Sequence, residues 1–120
     1  MKSKQEIVDL ISHAHGTEHY HKYSPFPAYP VITDGVKAVA EAAGCYWLLD
    51  IIGSCQKRWK KLDPHFQVWK LVVKSDKSAS VRAYNDTDHV RSQAIEFTDF
   101  PLEELKLFLI DGVILLPNEY

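Results

Sequence analysis

The chain has little of what would declare an activity. It has two cysteines, Cys45 and Cys55, in 120 residues. No Cys-x-x-Cys pair and no Cys/His finger spacing occurs, which excludes a disulfide framework and a zinc finger. Glycine is also scarce, at five residues. No phosphate-cradling loop, dinucleotide fingerprint or serine nucleophile elbow can be read from them. No apolar run approaches the roughly 18 residues that a membrane span needs. The basic start, Met1-Lys2-Ser3-Lys4, is followed by no apolar core or cleavage site, so no signal peptide is expected and the cytoplasm is the default compartment. Charge of one sign is lacking too. The formal net charge is −2, which argues against nucleic acid or an anionic membrane as a partner of the whole surface.

What is present fits one domain over residues 1–120, long enough to fold without disulfide or metal. Ile7, Leu10 and Ile11 predict a short helix over 4–13, with Ser3 as N-cap and Glu6 completing a capping box. The spacing of Val36, Val39, Ala40, Ala43 and Trp47, then Ile51, Cys55, Trp59 and Leu62, predicts a long helix from Asp34 to Lys61 capped by Thr33. Gly44 and Gly53 are the places where it would bend. On such a helix the two cysteines stand about 15 Å apart, beyond disulfide reach, and are expected to be buried and reduced.

From Phe66 onward the pattern is β. Strands are expected over Phe66–Lys74, Ala79–Tyr84, about Arg91–Thr98, Leu105–Ile110 and Val113–Leu116, with Asp111-Gly112 as a hairpin turn. Helices first and strands after predict an α+β fold: one short and one long helix on an antiparallel meander of four to five strands. In the last hairpin Leu105, Leu107 and Leu109 point one way and Phe108 and Ile110 the other. The hairpin is therefore apolar on both sides. Two helices can cover one face. The other calls for the aromatic-proline segment or for a second copy of the chain, and a homodimer through this hairpin is expected.

Residues 16–32 interleave Tyr20, Tyr23, Phe26 and Tyr29 with Pro25, Pro27 and Pro30. The prolines forbid a helix and remove ladder donors, so this is an extended strap over the core, and its rings are candidates for a ligand-facing wall. Asp50 falls near Val39 and Ala43 on the expected helix, a carboxylate on the core side that would be costly unless paired, and so a candidate pocket acid. His13, His15, His19 and His21 form two His-x-His pairs. With Glu18 they offer a three-histidine or two-histidine-carboxylate set on paper, His19, His21 and Glu18 foremost. Exposed or hydrogen-bonded histidines are the simpler expectation, and no cofactor is implied. Lys57-Arg58-Trp59-Lys60-Lys61 is a dense basic patch with an aromatic to stack, yet cations at a helix C-terminus are ordinary dipole partners.

Several stretches carry a resemblance: Gly16-Thr17-Glu18, Thr33-Asp34-Gly35-Val36, Tyr46-Trp47-Leu48-Leu49-Asp50, Phe66-Gln67-Val68-Trp69-Lys70-Leu71, Ile95-Glu96-Phe97-Thr98-Asp99-Phe100-Pro101 and Leu116-Pro117-Asn118-Glu119-Tyr120. In this order, from about residue 16 to the end, they resemble a family of small bacterial proteins of unknown function, found in cyanobacteria and other bacteria and often on plasmids or phage-derived DNA. The resemblance implies no activity, cofactor or catalytic residue. The function expected is a non-catalytic binding or protein-interaction module of mobile-element origin, with an unidentified protein partner. The alternatives are a small metal-dependent enzyme using the histidine cluster and a nucleic-acid-binding protein using Lys57 to Lys61.

Overall fold

The computed structural model describes residues 3–14 and 19–120. The first helix, α1, runs Lys4–Ser12, and Ser3 and Glu6 form the expected capping box. Two short strands follow, β1 (Tyr20–Lys22) and β2 (Val31–Thr33), one at each end of the strap. The helix expected from Asp34 to Lys61 is two helices, α2 (Asp34–Ala43) and α3 (Tyr46–Arg58). Gly44 separates them. It sits in the left-handed region (φ 64°) and donates its N–H to the Ala40 carbonyl, a conformation that favours glycine and ends a helix. Cys45 and Cys55 are both buried and unpaired.

The sheet has seven strands rather than four or five, and it is mixed rather than antiparallel. Strands β3 (Phe66–Val73), β4 (Ala79–Asn85), β5 (Asp88–Ile95), β6 (Glu104–Ile110) and β7 (Val113–Leu115) join the first two in the order β1-β2-β7-β6-β3-β4-β5. Every neighbouring pair is antiparallel except β2 with β7, which ties the start of the chain to its end. That junction is clamped by Glu119. Its Oε1 accepts from Thr33 Oγ1 at 2.7 Å and from Leu116 N at 2.9 Å, while Thr33 Oγ1 caps α2 by accepting from Val36 N. Gly35 leaves room for this carboxylate, since a Cβ there would stand 2.8 Å from Glu119 Oε2. Nearby, Asn118 Nδ2 donates to the Ile11 carbonyl at the end of α1.

The register gives the sheet two unlike faces. On the inner face, Trp69, Leu71, Val81, Ala83, Leu105, Leu107, Leu109 and Ile114 join Val36, Val39, Leu48, Leu49, Ile52 and Cys55 of the helices in one buried cluster. The largest buried polar side chain among the described residues, Gln67, is built in beside it. Gln67 is fully buried and accepts from Trp69 Nε1 (2.9 Å) and Gln56 Nε2 (3.0 Å) while donating to Gln56 Oε1 (2.8 Å) and the Asp63 carbonyl (2.8 Å). With all partners met, this amide bolts α3 to β3 instead of weakening the core. Truncating it strands the buried Trp69 indole N–H and takes a partner from the half-buried Gln56 amide. Gln67→Ala is therefore expected to cost about 3 kcal/mol in urea unfolding, and a loss below about 1 kcal/mol would show the network to be dispensable.

Candidate functional site

Among the described residues the strap turns Tyr23 and Tyr29 onto α3 rather than over the outer face of the sheet. Tyr23 donates its hydroxyl to the Leu49 carbonyl at 2.8 Å, and the Tyr23 and Tyr29 rings lie 6.1 Å apart over Gly53. A Cβ at Gly53 would come within 2.5 Å of Tyr29 Cδ2, so only glycine admits this approach. Burial raises the Tyr23 hydroxyl pKa far above the usual value, with the Asp50 charge adding to it, so Tyr23 serves as a neutral donor. Phe26 packs on Tyr29 at 5.3 Å and, with Ser54 and Lys57, borders a shallow cleft of about 270 Å³. Tyr23, Phe26 and Tyr29 are thus brought together. Tyr20 stands apart on β1, and both Tyr20 and Phe26 are more than 60 % exposed (63 % and 61 %).

Asp50 is exposed, contrary to the core position expected from helical phase. The turn at Gly44 and Cys45 resets that phase, so α3 buries Leu48, Leu49, Ile52 and Cys55 and turns Asp50 outward. The histidines are engaged locally. His13 Nδ1 lies 2.8 Å from the Asp9 carbonyl, and His21 Nε2 lies 2.6 Å from Asp34 Oδ1. His19 places its backbone N–H near Asp34. His15 and Glu18 fall outside the described residues. Among the described residues no three His, Cys, Asp or Glu side chains are grouped to hold a metal. Burial pushes the Cys45 thiol up to about 12 and also raises Cys55, so neither is a nucleophile at neutral pH.

Of the basic patch, Lys57, Arg58, Lys60 and Lys61 are exposed, while Trp59 is buried and stacks on Trp69 at 5.7 Å. A bulge in β5 brings Arg91 to this end of the sheet, its guanidinium 5.9 Å from the Trp59 ring. Arg58, Lys60, Lys61 and Arg91 border a cleft of about 350 Å³. The indole counted on for stacking is therefore part of the core.

The outer face holds a constellation that motif reading does not show. Val31, Val113, Leu115, Ile110, Phe108, Phe66 and Val68 share this face by register, and none of them belongs to the cluster that α1, α2 and α3 help to bury on the other side. The short 3-10 helix Pro117–Glu119 brings Tyr120 against its rings. Phe66, Phe108 and Tyr120 form a ring cluster at 5.5–6.1 Å, with Tyr120 74 % exposed. Beside it, Lys106, Lys70 and Arg82 are directly paired across β6, β3 and β4. None of the three has a carboxylate partner among the described residues. Lys70 Nζ instead lies 5.3 Å from the Tyr84 ring and Lys106 Nζ 5.5 Å from Phe108, while Arg82 donates to Ser80. Between the rings is an open cleft of about 320 Å³ bordered by Phe66, Val68, Lys70, Tyr84, Lys106 and Phe108, with Asp86 and Thr87 of the β4–β5 turn at its rim.

The profile of a family described as Family of unknown function (DUF6876) matches residues 5–120. The chain belongs to the DUF6876 family. The match includes α1 from its second residue and His13, which the resemblance carried by the motifs left out. No curated protein and no solved structure matches this DUF6876 chain. No helix among the described residues is long and apolar enough to cross a membrane.

At one end of the sheet, exposed His65 contacts Asp111 Oδ1 at 2.8 Å across the β6–β7 turn. The hydrogen bond to Asp111, with the Asp111 charge behind it, raises the His65 pKa. A raised folded pKa favours the folded state below the unfolded value of about 6.5, and that contribution is lost as pH rises through the folded value. Asp111→Asn should therefore return the His65 imidazole titration, followed by NMR, toward about 6.5. An unchanged midpoint would mean that the pair does not form in solution.

Proposed function

We propose that this DUF6876 protein is a non-catalytic binding module and that its contact surface is the outer face of the sheet. The observation that carries this is the one-sided covering. Among the described residues α1, α2 and α3 contribute to the core on the inner face, and Tyr23 and Tyr29 of the strap lie on α3. A sheet that leaves phenylalanines, branched aliphatics and three carboxylate-free cations together on one face carries an interaction surface. The last hairpin lends Phe108, Ile110, Val113 and Leu115 to it, which is where a second copy of the chain would meet this one. The setting we propose is a bacterial host and a plasmid- or phage-borne gene, as the resemblance implies, with the cytoplasm as the default compartment for a chain whose start does not read as a signal peptide.

Substitutions on the two faces should fall into two classes. Leu107 on the inner face is core, so Leu107→Ala should cost about 3 kcal/mol. Leu115 on the outer face is half-buried, and Leu115→Ala should cost about 1 kcal/mol. Phe108→Ser combined with Leu115→Ser should keep the native circular dichroism while abolishing any concentration-dependent association seen by light scattering. Outer-face variants that unfold as readily as Leu107→Ala would make the face a second core and overturn the reading.

A further inference from the structure

On the outer face a row of rings runs alongside a row of cations. Phe108, Val68 and Tyr84 are paired across three strands, and the next outward-facing row is Lys106, Lys70 and Arg82. The two rows are about 7 Å apart, one pleat along the strands. The two rings stand about 10 Å apart by strand spacing, with the smaller Val68, 7 % exposed, as the floor between them.

We infer that this face binds single-stranded nucleic acid, with a base against Phe108 and Tyr84 and the phosphates along Lys106, Lys70 and Arg82. The inference rests on the outer face being the binding surface. Charge complementarity is the main argument. Like charges directly opposed across strands are destabilising, and this row has three with no carboxylate partner among the described residues. The phosphodiester backbone of a nucleic acid relieves that repulsion. A second copy stacked on the same face would instead add three more cations to a desolvated layer. The rings narrow the class further, because an aromatic face is useful only to a base free of its own stack, which a duplex does not offer. Thr87 and Asp86, at the rim of the cleft, supply a donor and acceptors for the polar edge of such a base. The overall charge of −2 is no obstacle, since outward strand positions carry Lys22, Lys70, Arg82 and Lys106 against Glu104 alone.

The test is fluorescence anisotropy of the untagged full chain with short labelled oligo(dT), oligo(U) and a duplex of equal length, over a salt series. The single strands should bind, and log affinity should fall against log salt with a slope of about −2 for three phosphate contacts. Lys70→Glu with Lys106→Glu should weaken binding by at least about tenfold and flatten that slope. Phe108→Ala should weaken it by about tenfold, and Phe108→Tyr, which keeps the ring, should restore it. Lys57→Glu with Lys60→Glu should leave it unchanged. Duplex bound as tightly as single strand, affinity that follows Lys57 and Lys60, or no binding at low salt would overturn the inference. If no strand binds while Phe108→Ser abolishes a dimer in light scattering, nucleic acid is excluded and the binding-face reading stands. Outer-face variants that unfold would remove both.

Discussion

The close approach of two tyrosines to Gly53 decides what the rest of the molecule can present. With hydrogen in place of a side chain at that position, Tyr29 settles on α3 and Tyr23 reaches the Leu49 carbonyl. The strap is stiffened by Pro25, Pro27 and Pro30, so its path is set once those rings are seated. Its ends continue into β1 and β2, and β2 pairs with β7. Among the described residues the strap therefore joins the sheet at its edge, through β1 and β2. Burial that could have closed the outer face is used to fasten a third layer onto the helices.

Two polar devices hold this arrangement against slippage. Glu119 joins the start of α2 to the C-terminal segment through Thr33, and Gln67 joins α3 to β3 through Gln56 and Trp69. Both lie where an apolar contact would tolerate several registers, and hydrogen bonds of fixed direction tolerate few. A fixed register is what aligns Lys106, Lys70 and Arg82 in one row and Phe108, Val68 and Tyr84 in the next. The outer face thus inherits its order from contacts made on the opposite side of the sheet.

Local chemistry was readable from the residues, and long-range geometry was not. Ser3 with Glu6, Thr33 before α2 and the Asp111-Gly112 turn each act within a few positions, and each stands where the pattern places it. The alternation of the last hairpin was equally legible, because sheet faces follow a period of two. Apolar spacing that runs on through Ala43, Trp47 and Ile51 hides the helix break, although Gly44 is one of the two places where such a helix would bend. That one turn of backbone moved Asp50 from core to solvent. Strands of three residues, such as β1 and β2, are too short to show a period, and the parallel pairing of β2 with β7 joins residues more than eighty positions apart. Gln67 did leave a signal, as the lone polar side chain among Trp69 and Leu71 on the inward parity of β3. The cation row left none, since Lys70, Arg82 and Lys106 each look like a solvent-facing strand residue until register places them side by side.

A binding role for the outer face requires that face to be open in the isolated protein. A soluble paramagnetic agent tests this most directly, by its relaxation of assigned methyl resonances. Val113, Leu115 and Ile110 should be strongly broadened, while Leu107, Leu109 and Ile114 on the same strands should be spared. Equal protection of the two sets, in a chain that light scattering shows to be monomeric, would mean that the strap or another segment lies over the outer face, and would contradict the account.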